Sequence, residues 1–380
     1  MIYFDNAATS FPKPTSVYDS VDYCLRNYCS NPNRGSHNLS IKCELKIIEC
    51  RERLAKLLNV DDPMQIVFTS NATDSLNIAI KGALKPGDHV ITTMIEHNSV
   101  LRPLESLKKI GIETTFLPVD LYGYISIDDI KNSIKRNTKA IIINHGSNVL
   151  GTIQDIEVIG RLSKSLGILL IVDGAQTVGY IDIDVKKMNI DILAFPGHKS
   201  LFGLQGTGGL YVSKEIDLLP LKEGGTGSNS SSLLQPSFMP DKLESGTMNT
   251  PGIIGLSEGV NFLFTESLIK IREHEIALIK YLTEELLKLP FINIYGELDA
   301  PKKTPVISFN VEGFDSSEMG AFLSQHNICV RTGYHCAPMI HKIIGTDKRG
   351  TIRISPGYFN CSKDVENFID TIIQIFNMHF

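Results

Sequence analysis

The 380-residue sequence predicts an α/β fold, with a large unit built on a mostly parallel seven-stranded sheet and a smaller α+β unit after it. Three observations predict it. Short β-branched runs alternate with helix-length spacers from about residue 66 to 213. These runs are apolar on both faces, as the strands of a helix-covered parallel sheet must be. Past residue 255 a long helical pattern gives way to isolated strands and two further helices.

In order, the runs are 66–70, 89–94, 113–119, 140–144, 169–173, 191–195 and 209–212. Turn formers crowd 223–250, and one long helical pattern covers roughly 255–289. Strands are expected near 293–295, 305–311, 329–331 and 351–355, with helices near 316–326 and 362–378. The expected division is 16–257 for the large unit and 258–380 for the small one, with 1–15 packing near the latter.

Composition narrows the function. The formal net charge is −5 and the basic residues are scattered, which gives no reason to expect nucleic-acid binding. Lys13, Lys42 and Lys46 read as solvated surface. No apolar run approaches the ~20 residues that span a bilayer. The first residues lack a basic and then apolar leader pattern, so a cytosolic address without a membrane role is expected. Seven cysteines without a CxxC pair point to neither a disulfide framework nor a metal site. Cys43 and Cys50, seven apart in a helical pattern, read as small core residues. Only Cys336, in the short loop Gly333-Tyr334-His335-Cys336-Ala337-Pro338, stands in a context of chemistry.

Open parallel sheets bind ligands beyond the carboxyl ends of their strands, and four polar groups fall there. Phe68 to Asn77 runs from strand into helix through small and polar residues. The unpaired N–H groups of such a helix start suit a phosphate, with Thr73 adding a hydroxyl, although an ordinary helix cap reads the same way. His97 closes a second strand, where a structural histidine is the alternative. Asp173 closes a wholly apolar strand, an expensive place for a carboxylate without a positive partner. Lys199 stands between a buried strand and a Gly-rich loop, where desolvation favours imine chemistry. Together these groups are what a bound pyridoxal phosphate (PLP) requires: a phosphate seat, a ring-stacking side chain, an acid for the pyridine nitrogen and an amine for a Schiff base.

The chain resembles the cysteine desulfurase and selenocysteine lyase family, class V aminotransferases of PLP fold type I. The motifs that carry the resemblance run from end to end: Tyr3-Phe4-Asp5-Asn6-Ala7-Ala8-Thr9, Arg34-Gly35-Ser36-His37, Glu96-His97, Ser147-Asn148-Val149-Leu150-Gly151, Asp173-Gly174-Ala175-Gln176, Gly197-His198-Lys199, Gly246-Thr247-Met248-Asn249-Thr250, Arg331 through Pro338, and Arg353-Ile354-Ser355. The resemblance implies that Lys199 carries PLP, Asp173 pairs with the ring nitrogen, Gln176 faces the phenolate and His97 stacks on the ring. It implies a phosphate site of Thr73, the Ala72 N–H and His198. Thr247 would reach the phosphate of a partner subunit, hence a homodimer. Asn148 and Arg353, with Arg331 and His37, would bind the substrate. Cys336 would take sulfur from L-cysteine as a persulfide and pass it to an acceptor protein, with His335 a candidate for activating the thiol. L-selenocysteine is the alternative substrate; another class V aminotransferase or lyase, and a sulfur carrier with a vestigial site, are the remaining readings. Three positions depart from the family pattern: Pro196 and Ala72 replace hydroxyl residues around the phosphate, and Tyr334 replaces a histidine.

Overall fold

A computed structural model describes residues 1–32 and 35–379. Arg34, part of one motif above, lies outside the described residues. The chain opens with β1 (Ile2–Tyr3). The large sheet then takes β2 (Ile66–Thr69), β3 (His89–Thr93), β4 (Glu113–Leu117), β5 (Thr138–Asn144), β6 (Leu169–Asp173), β7 (Ile192–Pro196) and β8 (Gly208–Val212). Their order across the sheet is β2-β8-β7-β6-β5-β3-β4, and only β8 runs against the rest.

Alternation along each strand feeds two cores, one on each face. Ile141, Ile143, Leu170 and Val172 join one apolar cluster; Ile142, Ile171 and Ile192 join the other. This is why the runs are continuously apolar, and why Asp173 at the end of β6 is conspicuous. A third cluster, containing Phe4, Leu282, Phe309, Ile352 and Phe368, forms around β9 (Ile292–Tyr295), β10 (Ile307–Val311), β12 (Arg331–Gly333) and β13 (Thr351–Ile354). These four strands make an antiparallel sheet, while β1 pairs with β11 (Ile328–Cys329).

The single long helix expected near 255–289 is two, Thr250–Glu266 and Leu268–Leu287. Ser267, at φ 72°, breaks the ladder between them. Hydrophobic spacing continues across the break, so periodicity alone does not reveal it. Cys43 and Cys50 are fully buried in the helix Asn38–Leu58, as read from their spacing. Among the described residues, no helix is long and apolar enough to cross a membrane.

Candidate active site

The sheet gathers its polar strand ends at one edge. Thr69 of β2 and Pro196 of β7 both lie opposite Gly208 of β8, so the helix start after β2 and the lysine loop after β7 are neighbours. Close packing holds them there. A Cβ on Gly208 would come within 2.8 Å of the Asn71 backbone, and one on Gly197 would collide with the Thr207 hydroxyl. Asn71 caps the helix Ala72–Ala83 through the Asp74 N–H, and Thr73 on the first turn is exposed.

Thr73 connects this helix start to the next polar group. Its hydroxyl lies 2.7 Å from that of Ser99, which lies 2.8 Å from Nδ1 of His97. His97 caps the helix Asn98–Leu107, with Nδ1 accepting the Ser99 N–H. The ring proton of neutral His97 therefore sits on Nε2. Burial, reinforced by the charges of Lys199, Arg331, Arg102 and Arg353, lowers the His97 pKa to about 4, so the imidazole is neutral at pH 7.

Asp173 is buried; one of its carboxylate oxygens accepts the Ala175 N–H at 3.0 Å. Burial pushes its pKa up against the pull of that bond and of Lys199. The amine of Lys199 is pressed down to about 8, first by burial and then by Arg353, with Asp173 opposing. Gln176 spends one amide N–H on the Ala7 carbonyl at 3.0 Å and keeps the other. Nδ1 of His198 is buried without a partner, and its imidazole is also held neutral, with a pKa near 4.

Arg353, only 1% exposed, comes from β13 and is held from two sides. Nη2 bonds Asp5 at 2.7 Å and Nη1 bonds the Asn148 carbonyl at 3.1 Å, while Nε has no partner. Asn148 donates its amide to the His335 carbonyl at 2.6 Å and leaves Oδ1 unpaired. Two buried, unsatisfied polar atoms on neighbouring residues are costly unless a ligand completes them.

Cys336 lies across from β13, on the loop after β12. His335 and Cys336 take φ values of 50° and 60°, rare for non-glycine residues and frequent where function holds the backbone. The loop is fixed from outside: the Cys336 carbonyl accepts the Asn98 N–H at 2.7 Å, and the Tyr334 hydroxyl reaches the Asp347 carbonyl at 2.6 Å.

The structure changes one reading, that of Lys13. Nη2 of Arg331 donates to the Cys336 sulfur at 3.3 Å. His335 engages Thr351 through Nε2 and is kept neutral by burial, while its buried Nδ1 has no partner. Lys13 is half-buried rather than surface, with Nζ on the Ser10 hydroxyl at 2.7 Å and the His198 carbonyl at 2.9 Å. His37 is exposed and caps the helix Asn38–Leu58, and Thr247 is exposed on its loop; neither meets the groups above within this chain. Sequence reasoning missed Asp5 and Ser99 as partners of Arg353 and His97. Asp5 stood in an N-terminal motif already noted, whereas nothing local marks Ser99.

The donor set fits PLP. It offers a helix start with a hydroxyl for phosphate, a neutral imidazole, a buried carboxylate lacking a cation and an amine of lowered pKa. The comparisons agree. A family model described as aminotransferase class-V matches residues 2–368, and the chain belongs to this family, whose members depend on PLP. Among its relatives, a probable cysteine desulfurase of Pyrococcus abyssi is 36% identical, covering 99% of this chain and 94% of its own. A cysteine desulfurase of Wigglesworthia glossinidia brevipalpis is 30% identical over 99% and 92%. The apo cysteine desulfurase of Thermococcus onnurineus NA1 superposes with a TM-score of 0.93 at 35% identity, covering 98% of this chain and 94% of that one. The cysteine desulfurase CsdA (S-sulfonic acid) of Escherichia coli gives 0.90 at 27% identity, over 99% and 94%.

Proposed function

We propose that this chain is a PLP-dependent cysteine desulfurase that converts L-cysteine to L-alanine and holds the sulfur on Cys336 as a persulfide. The observation that carries it is the thiol of Cys336 on a pinned loop, paired with Arg331 and joined through Asn148 to the buried Arg353. The names of the relatives concern cysteine rather than selenocysteine, which supports sulfur.

When bound, PLP supplies an electron sink that weakens bonds at the substrate Cα. Thr73, the Ala72 N–H and His198 would hold its phosphate, Asp173 would pair with its ring nitrogen, Gln176 would face its phenolate oxygen and His97 would lie against its ring. The Nε edge of Arg353 and the open side of Asn148 take the substrate carboxylate. Lys199 Nζ, readily neutral, moves the Cα proton. The Cys336 thiolate, opposite the Arg331 guanidinium, attacks the substrate sulfur. The S–S bond forms as C–S breaks, the C–S electron pair stays with the substrate Cβ, and that carbon takes up a proton to become the methyl group of alanine.

A homodimer with Thr247 reaching the partner's phosphate fits its exposure, and a short pinned loop fits delivery to a sulfur-acceptor protein. His37, exposed at its helix start, is kept as a substrate-side residue of such a dimer. Separate apolar clusters support two units, but Val260, Leu263 and Ile271 join the large-unit cluster and the helix Thr250–Glu266 is continuous, so the division lies beyond 257/258. Seven free cysteines support a cytosolic address. The test is Cys336→Ala, which should keep the PLP absorbance and abolish sulfide release from cysteine. Undiminished release overturns the reading.

A further inference from the structure

Glu96 precedes the ring-side histidine and has no role in the chemistry above. It is wholly buried just past the carboxyl end of β3. Its Oε1 accepts the Thr93 hydroxyl of β3 at 2.7 Å and the Asn144 N–H of β5 at 3.0 Å. Its Oε2 has no partner, and neither does the buried Oδ1 of Asn144. β5 lies between β3 and β6, and Asn144 stands in register with Asp173. Three adjacent strand ends thus carry Glu96, Asn144 and Asp173, with two orphaned acceptors among them.

Two buried acceptors cannot satisfy one another unless one carries a proton. The charged group facing Glu96 is Asp173 from β6. β3 and β5 offer the uncharged Thr93 and Asn144, and His97 on the same loop is neutral. A second ionised carboxylate there would meet repulsion without a counter-ion.

We propose that Glu96 is a positioning residue held as a neutral carboxylic acid: its Oε2–H donates to Asn144 Oδ1, it ties the His97 loop to β3 and β5, and it leaves Asp173 the one ionised carboxylate at the ring end. Burial, with the Asp173 charge adding to it, raises the Glu96 pKa to about 8, consistent with that state. The proposal deepens the PLP reading by giving the acid at the ring nitrogen a reason to be the charged member of the group.

The first test uses apoprotein, so it does not depend on the cofactor. A carboxyl protonated when folded and ionised when unfolded makes the folded state the larger proton binder. Stability conferred by that proton is therefore lost as pH rises from about 4.5 toward about 8. Glu96→Gln mimics the neutral acid and cannot titrate. In chemical denaturation, the unfolding constant of wild type relative to Glu96→Gln should climb by up to about tenfold per pH unit across that window. Parallel pH profiles would mean an ionised Glu96, with the Asn144 amide turned to donate, and would overturn the proposal.

The second test is PLP affinity by fluorescence titration, with the absorbance maximum as a signature. Glu96→Gln should bind PLP within about threefold of wild type with an unchanged maximum, whereas Glu96→Leu, which strands Thr93 and Asn144, should bind about tenfold or more weakly. Equal loss in both variants overturns the positioning role. Failure of wild type itself to bind PLP counts against the proposed function instead.

Discussion

The Arg331 guanidinium donates to the Cys336 sulfur across 3.3 Å, from the strand that leads into the cysteine's own loop. The contact gives the sulfur a charged hydrogen-bond donor from β12, while the adjacent His335 turns Nε2 toward Thr351. Replacing Arg331 with Gln keeps a polar side chain and removes the charge. Alkylation of Cys336 by iodoacetamide at neutral pH should slow by about tenfold, the worth of one charge-assisted hydrogen bond. PLP absorbance should persist. An unchanged alkylation rate would show that the contact does not activate the sulfur.

Arg353 has only part of its fork free for the substrate role proposed above. Asp5 and the Asn148 carbonyl occupy Nη2 and Nη1, so the free edge is the one that includes Nε. Lysine has no equivalent of that edge. Arg353→Lys should therefore raise KM for cysteine by about 100-fold, the loss of a bidentate charged contact, with a smaller change in kcat. Asp5→Asn should instead lower thermal stability, because Arg353 is 1% exposed and would lose its one ionic partner. Melting curves and steady-state kinetics separate the two effects.

Much of this architecture is legible in sequence because it rests on local patterns. The seven runs of the large sheet coincide with β2 to β8 within a residue or two, since strands packed on both faces must be apolar throughout. Asp173 is visible as the acid that ends one such run, and Lys199 as the lysine a few residues past another. Contacts made by tertiary approach were not visible. Asp5 and Arg353 are 348 positions apart, Lys13 and His198 are 185 apart, and the Thr73–Ser99–His97 relay joins two helix starts. Periodicity carries no information about such meetings. It also ran past Ser267, where a backbone angle, not a change of side chains, divides the helix.

Lys13 shows what such a hidden contact does. The His198 carbonyl accepts from the Ser10 N–H and the Thr9 hydroxyl, both at 3.0 Å, and from Lys13 Nζ at 2.9 Å. Ser10 also donates its hydroxyl to the Lys199 carbonyl at 2.9 Å. Residues 9–13 thus clamp the backbone of His198 and Lys199 from a segment distant in sequence. Lys13→Met keeps the aliphatic stem and deletes two hydrogen bonds. It should weaken PLP binding by about fivefold, roughly 1 kcal/mol, and Lys13→Arg should restore part of the loss. Equal affinity in Lys13→Met and wild type would make the clamp dispensable.

On the proposed function, Lys199 must be a neutral amine to capture the aldehyde of PLP, and its pKa, lowered to about 8, sets when it is. An ordinary lysine near 10.4 would be neutral in roughly one molecule in 2500 at pH 7, whereas this one is neutral in about one in ten. Burial does most of this and Arg353 adds to it, while Asp173 works in the opposite direction. Reconstitution of the apoenzyme, followed by absorbance, should accelerate by about tenfold per pH unit up to about pH 8 and then level off. Asp173→Asn removes the opposing charge, so its plateau should begin at lower pH even though the loaded protein is impaired. A wild-type profile still rising beyond pH 9 would show that the amine is not lowered by its surroundings, and the order of these charges around Lys199 would have to be redrawn.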